Sequence, residues 1–460
     1  MGSRSRTAGA ELLGELSGIR RQVQLESRLR KFIRDGTLAS ETPLPSSRAL
    51  ASTLRVSRGL VVEAYTQLRA EGYIVTRHGA GTYVGVMRGG SPVAAPTSRP
   101  KTRLRFDFFP GRPDLASFPR ELWLRALRNV LRGSAASALS YPDPRGTPEL
   151  RGALAQYLNR ARGLAVDPEL IVIVAGATQG LALFGRALVR SGFGDIAVEN
   201  PGLPSHRSVL AAVGLGVRGV TVDSDGLDVG ELAGIGAVLC TPAHQWPTGV
   251  ALSPARRAAL IAWATGERLI VEDDYDAEFR YDRAPLAALQ GLAPDHVVYV
   301  GSVSKTLAPG LRLGWLVLPP RWAAVATPEL LNDFGSSTLG QLALAQLIET
   351  SAYDRHLRKA RERNRSRHDA LISAVAEHLP GARVSGISAG LHTLVRLPFA
   401  CDPDSLTAAA ASREVGVYPL SSFLIERPNA TDALVLGYAS LPESAIVEGI
   451  KRIGEALAAL

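Results

Sequence analysis

The chain has 460 residues, 46% hydrophobic and 21% charged, with a formal net charge of +9. That length exceeds one ordinary core and sets an expectation of two or more domains. No run of eighteen apolar residues offers a membrane span, and the Arg- and Ser-containing N-terminus lacks a signal peptide's apolar segment. The two cysteines, Cys240 and Cys401, lie far apart with no Cys/His cluster nearby, which argues against a disulfide framework or a metal site and for a reducing, cytoplasmic setting.

The charge is unevenly placed. Residues 1–105 hold 18 Lys and Arg against 7 Asp and Glu; the rest holds 34 against 36. A basic head on a near-neutral body points the head towards a polyanion.

In the head, Val23, Leu25, Leu29, Phe32 and Ile33 form a helical stripe over Gln22–Arg34, ended by Asp35-Gly36. Pro43-Leu44-Pro45-Ser46-Ser47-Arg48 predicts a rigid turn and a serine cap for a short helix, Ser47–Leu54. Ser57 caps a third helix running to Glu71, with Leu60, Val61, Ala64, Tyr65 and Leu68 on its apolar face. Tyr73–Val84 reads as two short strands around a glycine turn. This is the pattern of an α+β winged helix-turn-helix. Its second motif helix would present Ser57 and Arg58 to the major groove, with Arg48 near phosphates or base edges and His78 and Gly79 at the wing tip. Winged helices also dock proteins; the head's charge favours double-stranded DNA.

The motifs Leu44-Pro-Ser-Ser-Arg48, Val56-Ser-Arg58, Ala64–Tyr73 and the Gly79–Thr82 wing resemble the GntR-type DNA-binding domain. The resemblance implies DNA contacts at Arg48, Ser57, Arg58, His78 and Gly79. Residues 12–86 are taken as this domain, 87–104 as a flexible linker of small, basic and Pro-containing composition, and 105–460 as one large domain.

In the large domain the apolar runs Ile171–Val174, Ile196–Val198, Ala237–Leu239, Leu269–Val271 and Val297–Val300 alternate with amphipathic helical stretches. That alternation predicts a mostly parallel α/β sheet with helices on both faces. From about Thr327 the pattern turns largely helical, with a smaller α+β tail. Ala175–Gly180 follows the first run and opens a helix whose free amides suit a phosphate. Val271-Glu272-Asp273-Asp274-Tyr275 closes a later run; if the strand continues, Asp273 and Tyr275 share a side and Asp274 faces away. Two acids after a strand could also bind magnesium, which the next motif argues against.

Ser302-Val303-Ser304-Lys305-Thr306-Leu307-Ala308-Pro309-Gly310-Leu311-Arg312 combines a lysine suited to a Schiff base with hydroxyls and a guanidinium suited to a phosphate. The common cofactor carrying both an aldehyde and a phosphate is pyridoxal 5'-phosphate (PLP). Asp273 could then hold the pyridine nitrogen protonated, and Tyr275 could bond the ring's 3'-oxygen.

Together with Tyr141–Gly146, Val198–Gly202 and Thr241-Pro-Ala-His-Gln-Trp-Pro-Thr-Gly249, these segments resemble the fold-type I aminotransferases. The resemblance implies that Lys305 forms the internal aldimine, with Ser302, Ser304, Arg312, Ala177 and Thr178 around the phosphate. A GntR head on an aminotransferase-like body resembles the MocR/GabR transcription regulators. That resemblance implies a head-to-tail dimer with exchanged heads and an operator of repeated half-sites. It also implies an effector that is an amine, an amino acid or PLP itself, and a cytoplasmic, nucleoid-associated regulator rather than an enzyme. The alternatives are an active aminotransferase with an accessory DNA-binding domain, or a body that is a PLP-free scaffold.

Three positions depart from working aminotransferases. The asparagine that usually precedes Pro-Thr-Gly is Trp246, and the aromatic that often follows Pro-Gly is Leu203. Leu434-Val435-Leu436-Gly437-Tyr438 carries no arginine where many aminotransferases hold the substrate carboxylate. Arg207 and Arg396 are candidates to replace it.

Overall fold

The computed structural model describes residues 16, 18–78, 80–86, 104–330 and 335–460. They fall into two compact units divided between Lys101 and Thr102. Gly79, residues 12–15 and residues 87–103, about which the sequence carries expectations, lie outside the described residues.

The first unit comprises helices α1 (Arg21–Arg34), α2 (Ser47–Leu54) and α3 (Arg58–Ala70) and strands β1 (Pro43–Leu44), β2 (Ile74–Arg77) and β3 (Gly81–Val84). Leu25, Leu29 and Ile33 of α1 are buried, whereas Val23 is 55% exposed and lies off the stripe. Serine caps set both motif helices. Ser46 Oγ accepts from the Ala49 amide and Ser57 Oγ from the Leu60 amide, each at 3.2 Å, satisfying donors that the first helical turn leaves free. Val61, Ala64, Tyr65 and Leu68 pack α3 into the core, and the Tyr65 hydroxyl donates to the Pro45 carbonyl at 2.9 Å. Pro43-Leu44, expected as a turn, pairs antiparallel with Thr82-Tyr83 and adds a third strand to the wing. Proline is tolerated there because it occupies an edge strand.

The second unit begins with β4 (Phe106–Asp107), α4 (Arg120–Gly133), α5 (Pro148–Arg162), β5 (Ile171–Val174), α6 (Ala177–Arg190) and β6 (Asp195–Asn200). There follow α7 (Pro204–Ala212), β7 (Gly216–Asp223), β8 (Gly226–Leu227), β9 (Ala237–Cys240), α8 (Pro254–Trp263), β10 (Leu269–Asp273), β11 (Val297–Ser302) and β12 (Gly314–Val317). All five apolar runs are strands. The eight-stranded sheet has the order β5-β12-β11-β10-β9-β6-β7-β8 and is parallel except at β12 and β8. Complete burial of β5, β9, β10 and β11 explains their apolar runs, since helices cover both faces, and β10 then ends in the buried acids Glu272 and Asp273.

The chain then turns helical through α9 (Pro320–Leu330), α10 (Thr338–Glu349) and the 27-residue α11 (Ala352–His378). It ends in β13 (Arg383–Ser385), β14 (His392–Cys401), α12 (Pro403–Ala411), β15 (Val415–Gly416), β16 (Thr431–Gly437) and α13 (Glu443–Leu457). Strands β13, β14 and β16 make a small antiparallel sheet, and β15 pairs with β4. Both cysteines are free. Among the described residues no helix is long and apolar enough to cross a membrane.

Candidate functional site

Strands β5, β6, β9, β10 and β11 all point the same way, so the segments that follow them gather at one edge of the sheet. Ligands of open α/β sheets bind at this carboxyl edge.

At one end of the resulting cleft, Gly176 stands before the first residue of α6 with φ +91°, a conformation that glycine adopts without strain. A Cβ on Gly176 would lie 3.2 Å from Arg312 Nη1, so the missing side chain leaves a hollow bordered by that guanidinium. Ala177 and Thr178 open the helix, where backbone amides have no partner in a preceding turn. Ser302 ends β11 and is buried, and its Oγ accepts from the Ser304 amide at 3.4 Å. Arg312 itself is exposed and left-handed, φ +53°. These are the residues expected around a phosphate, and the hollow with its donors suits an anion of that size.

Lys305 follows two residues after Ser304's neighbour Val303, half-buried, with Nζ donating to the Gly111 carbonyl at 2.7 Å. Burial lowers its amine's proton affinity, against the pull of Asp276 and Asp273. Asp273 is the last residue of β10 and 4% exposed. One of its oxygens lies 3.4 Å from His206 Nε2, and the other, Oδ1, is buried without any hydrogen-bond partner. Burial first, then the neighbouring Asp274, pushes the Asp273 carboxyl up to about 7, while Lys305 opposes the shift. A buried carboxylate oxygen with no donor is costly, and a cationic ring N–H is the kind of partner it lacks.

Asp274 faces elsewhere: its Oδ2 accepts from Arg162 Nε at 2.7 Å and from the Tyr299 hydroxyl at 2.6 Å. The strand stops at Asp273, so strand alternation does not itself extend to Tyr275, although the Tyr275 phenol still feels the Asp273 charge. Tyr275 instead lies in a turn, where its hydroxyl contacts the His244 carbonyl at 2.9 Å and His244 Nδ1 at 3.0 Å.

The opposite end of the cleft is apolar. Trp246 packs with Tyr275, Leu394, Phe423, Ala433 and Val435, and Leu203 and Tyr418 lie against this cluster. Register places Leu394 opposite Val435 and His392 opposite Gly437 on the small sheet. The Lys305 ammonium stands 5.9 Å from the Trp246 ring centroid. Both arginines named as substitute clamps are engaged, although Arg207 lies beside Leu203 and Trp246. Arg207 donates to the Gly202, Phe423 and Leu424 carbonyls at 3.0, 2.9 and 3.2 Å. Arg396 is half exposed and pairs with Asp432 at 3.3 Å.

Sequence reasoning passed over His206, His244, Asp276 and His392. His244 sits inside the quoted Thr241–Gly249 motif and Asp276 directly follows Tyr275, but only the fold brings His392 to them. His244, Asp276 and His392 are all buried, with potential ligand atoms within 4.8 Å of one another. His244 Nδ1 is already shared between Asp276 Oδ2 at 3.0 Å and Tyr275, which makes this a hydrogen-bonded array.

On the first unit, Arg48, Ser57, Arg58 and His78 are exposed, Ser57 and Arg58 at the start of α3 and His78 after β2.

Residues 21–84 match the bacterial regulatory proteins of the gntR family, and residues 113–453 match aminotransferase class I and II. The chain is 34% identical to the Bacillus subtilis HTH-type transcriptional regulator YhdI, covering 95% of this chain and 96% of the relative. It is 33% identical to the pyridoxine biosynthesis transcriptional regulator PdxR of Corynebacterium glutamicum, with 95% of each covered. It is 32% identical to the probable rhizopine catabolism regulatory protein MocR of Rhizobium meliloti, with 95% and 94% covered. Among solved structures it is similar to Pyrococcus horikoshii kynurenine aminotransferase, with a TM-score of 0.71 at 26% identity over 78% of this chain and 92% of that one. With a gntR-family head, an aminotransferase class I and II body and regulator relatives along nearly its whole length, the chain belongs to the MocR-type HTH transcription regulators.

Proposed function

We propose that this chain is a PLP-dependent transcription regulator whose head binds operator DNA and whose body holds PLP at Lys305 as a sensor. The observation that carries the cofactor reading is Asp273 Oδ1, a buried, unpartnered carboxylate oxygen on a group whose electrostatics couple to Lys305. Bound there, PLP would supply an aldehyde that condenses with the Lys305 amine and can be exchanged onto an incoming amine. Asp273 would hold the pyridine nitrogen, Tyr275 would meet the 3'-oxygen, and Ala177, Thr178, Ser302, Ser304 and Arg312 would hold the phosphate.

The apolar far end of the cleft supports sensing over amino-acid turnover. Arg207 donates its guanidinium protons to backbone carbonyls, Arg396 pairs with Asp432, and the stretch Leu434–Tyr438 carries no arginine. A buried guanidinium–carboxylate contact is worth on the order of 2–5 kcal/mol, which a regulator that turns nothing over does without. The effector is an amine, an amino acid bound without that contact, or PLP itself; the relative named for pyridoxine biosynthesis supports including the cofactor. In a cytoplasmic dimer with exchanged heads, effector binding would shift the spacing of the two heads and so the half-sites they fit.

Absorption spectra of the full-length protein with added PLP test this reading. A visible band that borohydride bleaches and fixes on Lys305 is expected. A protein that stays colourless would leave a PLP-free scaffold, and steady turnover of an amino donor with a keto acid would make it an aminotransferase.

A further inference from the structure

His244 and Asp276 lie behind Tyr275, and no role in holding PLP has been given to them. His244 is 3% exposed and Asp276 1%. His244 Nδ1 lies 3.2 and 3.0 Å from the two Asp276 oxygens, so a proton on that nitrogen faces the carboxylate. The same nitrogen lies 3.0 Å from the Tyr275 hydroxyl, whose proton is directed at the His244 carbonyl, 2.9 Å away. The pair is built tightly into the backbone. A Cβ on Gly390 would stand 2.1 Å from His244 Cε1 and 2.5 Å from Asp276 Oδ2, and one on Gly249 would stand 3.3 Å from His244 Nε2. Both glycines have positive φ, +75° and +73°.

We propose that His244, anchored by Asp276, is a positioning residue for the Tyr275 hydroxyl and, through it, sets the electronic state of PLP held at Lys305. The inference rests on the cofactor reading above. In this arrangement the one Tyr275 proton bonds the His244 carbonyl; turned to the ring oxygen when the cofactor is bound, it would be a stronger donor for having an imidazole N–H shared onto the phenol oxygen. Asp276 keeps the proton on Nδ1, in the manner that a carboxylate fixes a histidine tautomer. At Trp246, where an asparagine amide would help hold the ring oxygen, the indole offers its face and edge to Tyr275, 5.6 Å away between centroids, and Nε1 makes no hydrogen bond. The His244–Asp276 pair therefore stands behind the one hydroxyl left to serve that oxygen. The charged and titratable groups facing this array are Glu199 in β6, Asp273 at the end of β10, Asp276, Tyr281 and Lys305 in the segments after the large sheet's strands, His392 of β14, Tyr438 just after β16 and His368 of α11.

The test is the pH midpoint of the visible absorbance of the PLP-loaded full-length protein, measured for the wild type, His244→Asn, Tyr275→Phe and the double variant. Losing a donor to the ring oxygen raises the midpoint. His244→Asn is expected to raise it by about half a unit or more, Tyr275→Phe by at least as much, and His244→Asn is expected to add nothing in the Tyr275→Phe background. A structural role would lower PLP loading or melting temperature and leave the midpoint in place. An unmoved midpoint in a loaded His244→Asn protein overturns the proposal, as does an equal shift in both backgrounds. A midpoint that moves when the wild type is treated with a chelator also overturns it, by making His244, Asp276 and His392 a metal site. A wild type without any visible band would defeat the cofactor reading itself, an outcome distinct from all of these.

Discussion

The two ends of the cleft differ in kind. At the Gly176 end the chain offers backbone amides, serine hydroxyls and the Arg312 guanidinium, with the acid Asp273 towards the middle. At the Trp246 end it offers Val435, Phe423, Leu203 and a tryptophan whose ring nitrogen has no partner. The polar end suits a phosphorylated cofactor; at the apolar end the one guanidinium among the described lining residues, Arg207, is engaged with the Gly202, Phe423 and Leu424 carbonyls. Holding a cofactor and choosing a substrate are separable demands on one fold, and the two ends of this cleft meet them with different chemistry.

The contrast can be broken most severely at Lys305. Lys305→Ala should abolish the visible band of the PLP-treated protein, and a surviving band would move the attachment point. Next come Asp273→Asn and Arg312→Ala. Each removes a charge-assisted contact worth about 1.5–3 kcal/mol, so PLP affinity in a fluorescence titration should fall by about 10–100-fold. A loss below threefold for both would detach the polar end from the cofactor. On the head, Arg58→Ala should weaken specific DNA binding by about 1–3 kcal/mol if Arg58 reads a base, and an unchanged gel-shift titration would drop it from the contacts.

A smaller effect follows from burial of the acids. Asp273 is raised from 3.8 to about 7, and Glu272 and Glu199 from 4.5 to about 7, burial being the largest cause for each. The folded chain therefore keeps these protons to higher pH than the unfolded chain. Their stabilisation is whole below about pH 4 and is lost as the pH rises to about 7. The melting temperature of the cofactor-free protein should decline across that window from this source, and Asp273→Asn should flatten the decline. The smallest change belongs to the apolar end. Trp246→Phe keeps an aromatic ring and removes an N–H that bonds nothing, so PLP affinity should stay within about threefold. A loss as large as that of Asp273→Asn would erase the distinction between the two ends.

Much of this was legible before folding was considered. Ser46 and Ser57 announce their helices because a serine before an apolar periodic stretch has few other roles, and the five apolar runs are strands because only strands buried on both faces are apolar throughout. The misread places have local causes. Pro43-Leu44 looked like a turn and is an edge strand, since its pairing partner lies some forty residues downstream. The strand on which the Asp273–Tyr275 alternation depended ends at Asp273, because the chain leaves the sheet there.

By itself the sequence determined a basic head and a near-neutral body, the winged helix with its caps, the mostly parallel sheet, and the lysine, acid and glycine-containing segments at the ends of its strands. These follow from local periodicity and from short motifs whose residues are neighbours along the chain. Only the tertiary structure decided that Asp273 is left with an unpartnered oxygen while Asp274 is claimed by Arg162. It also decided that Arg207 is occupied by three carbonyls, and that His392 arrives beside His244 and Trp246 from a strand well over a hundred residues away. Contacts of that separation depend on how two sheets pack, and no periodicity in the chain encodes them.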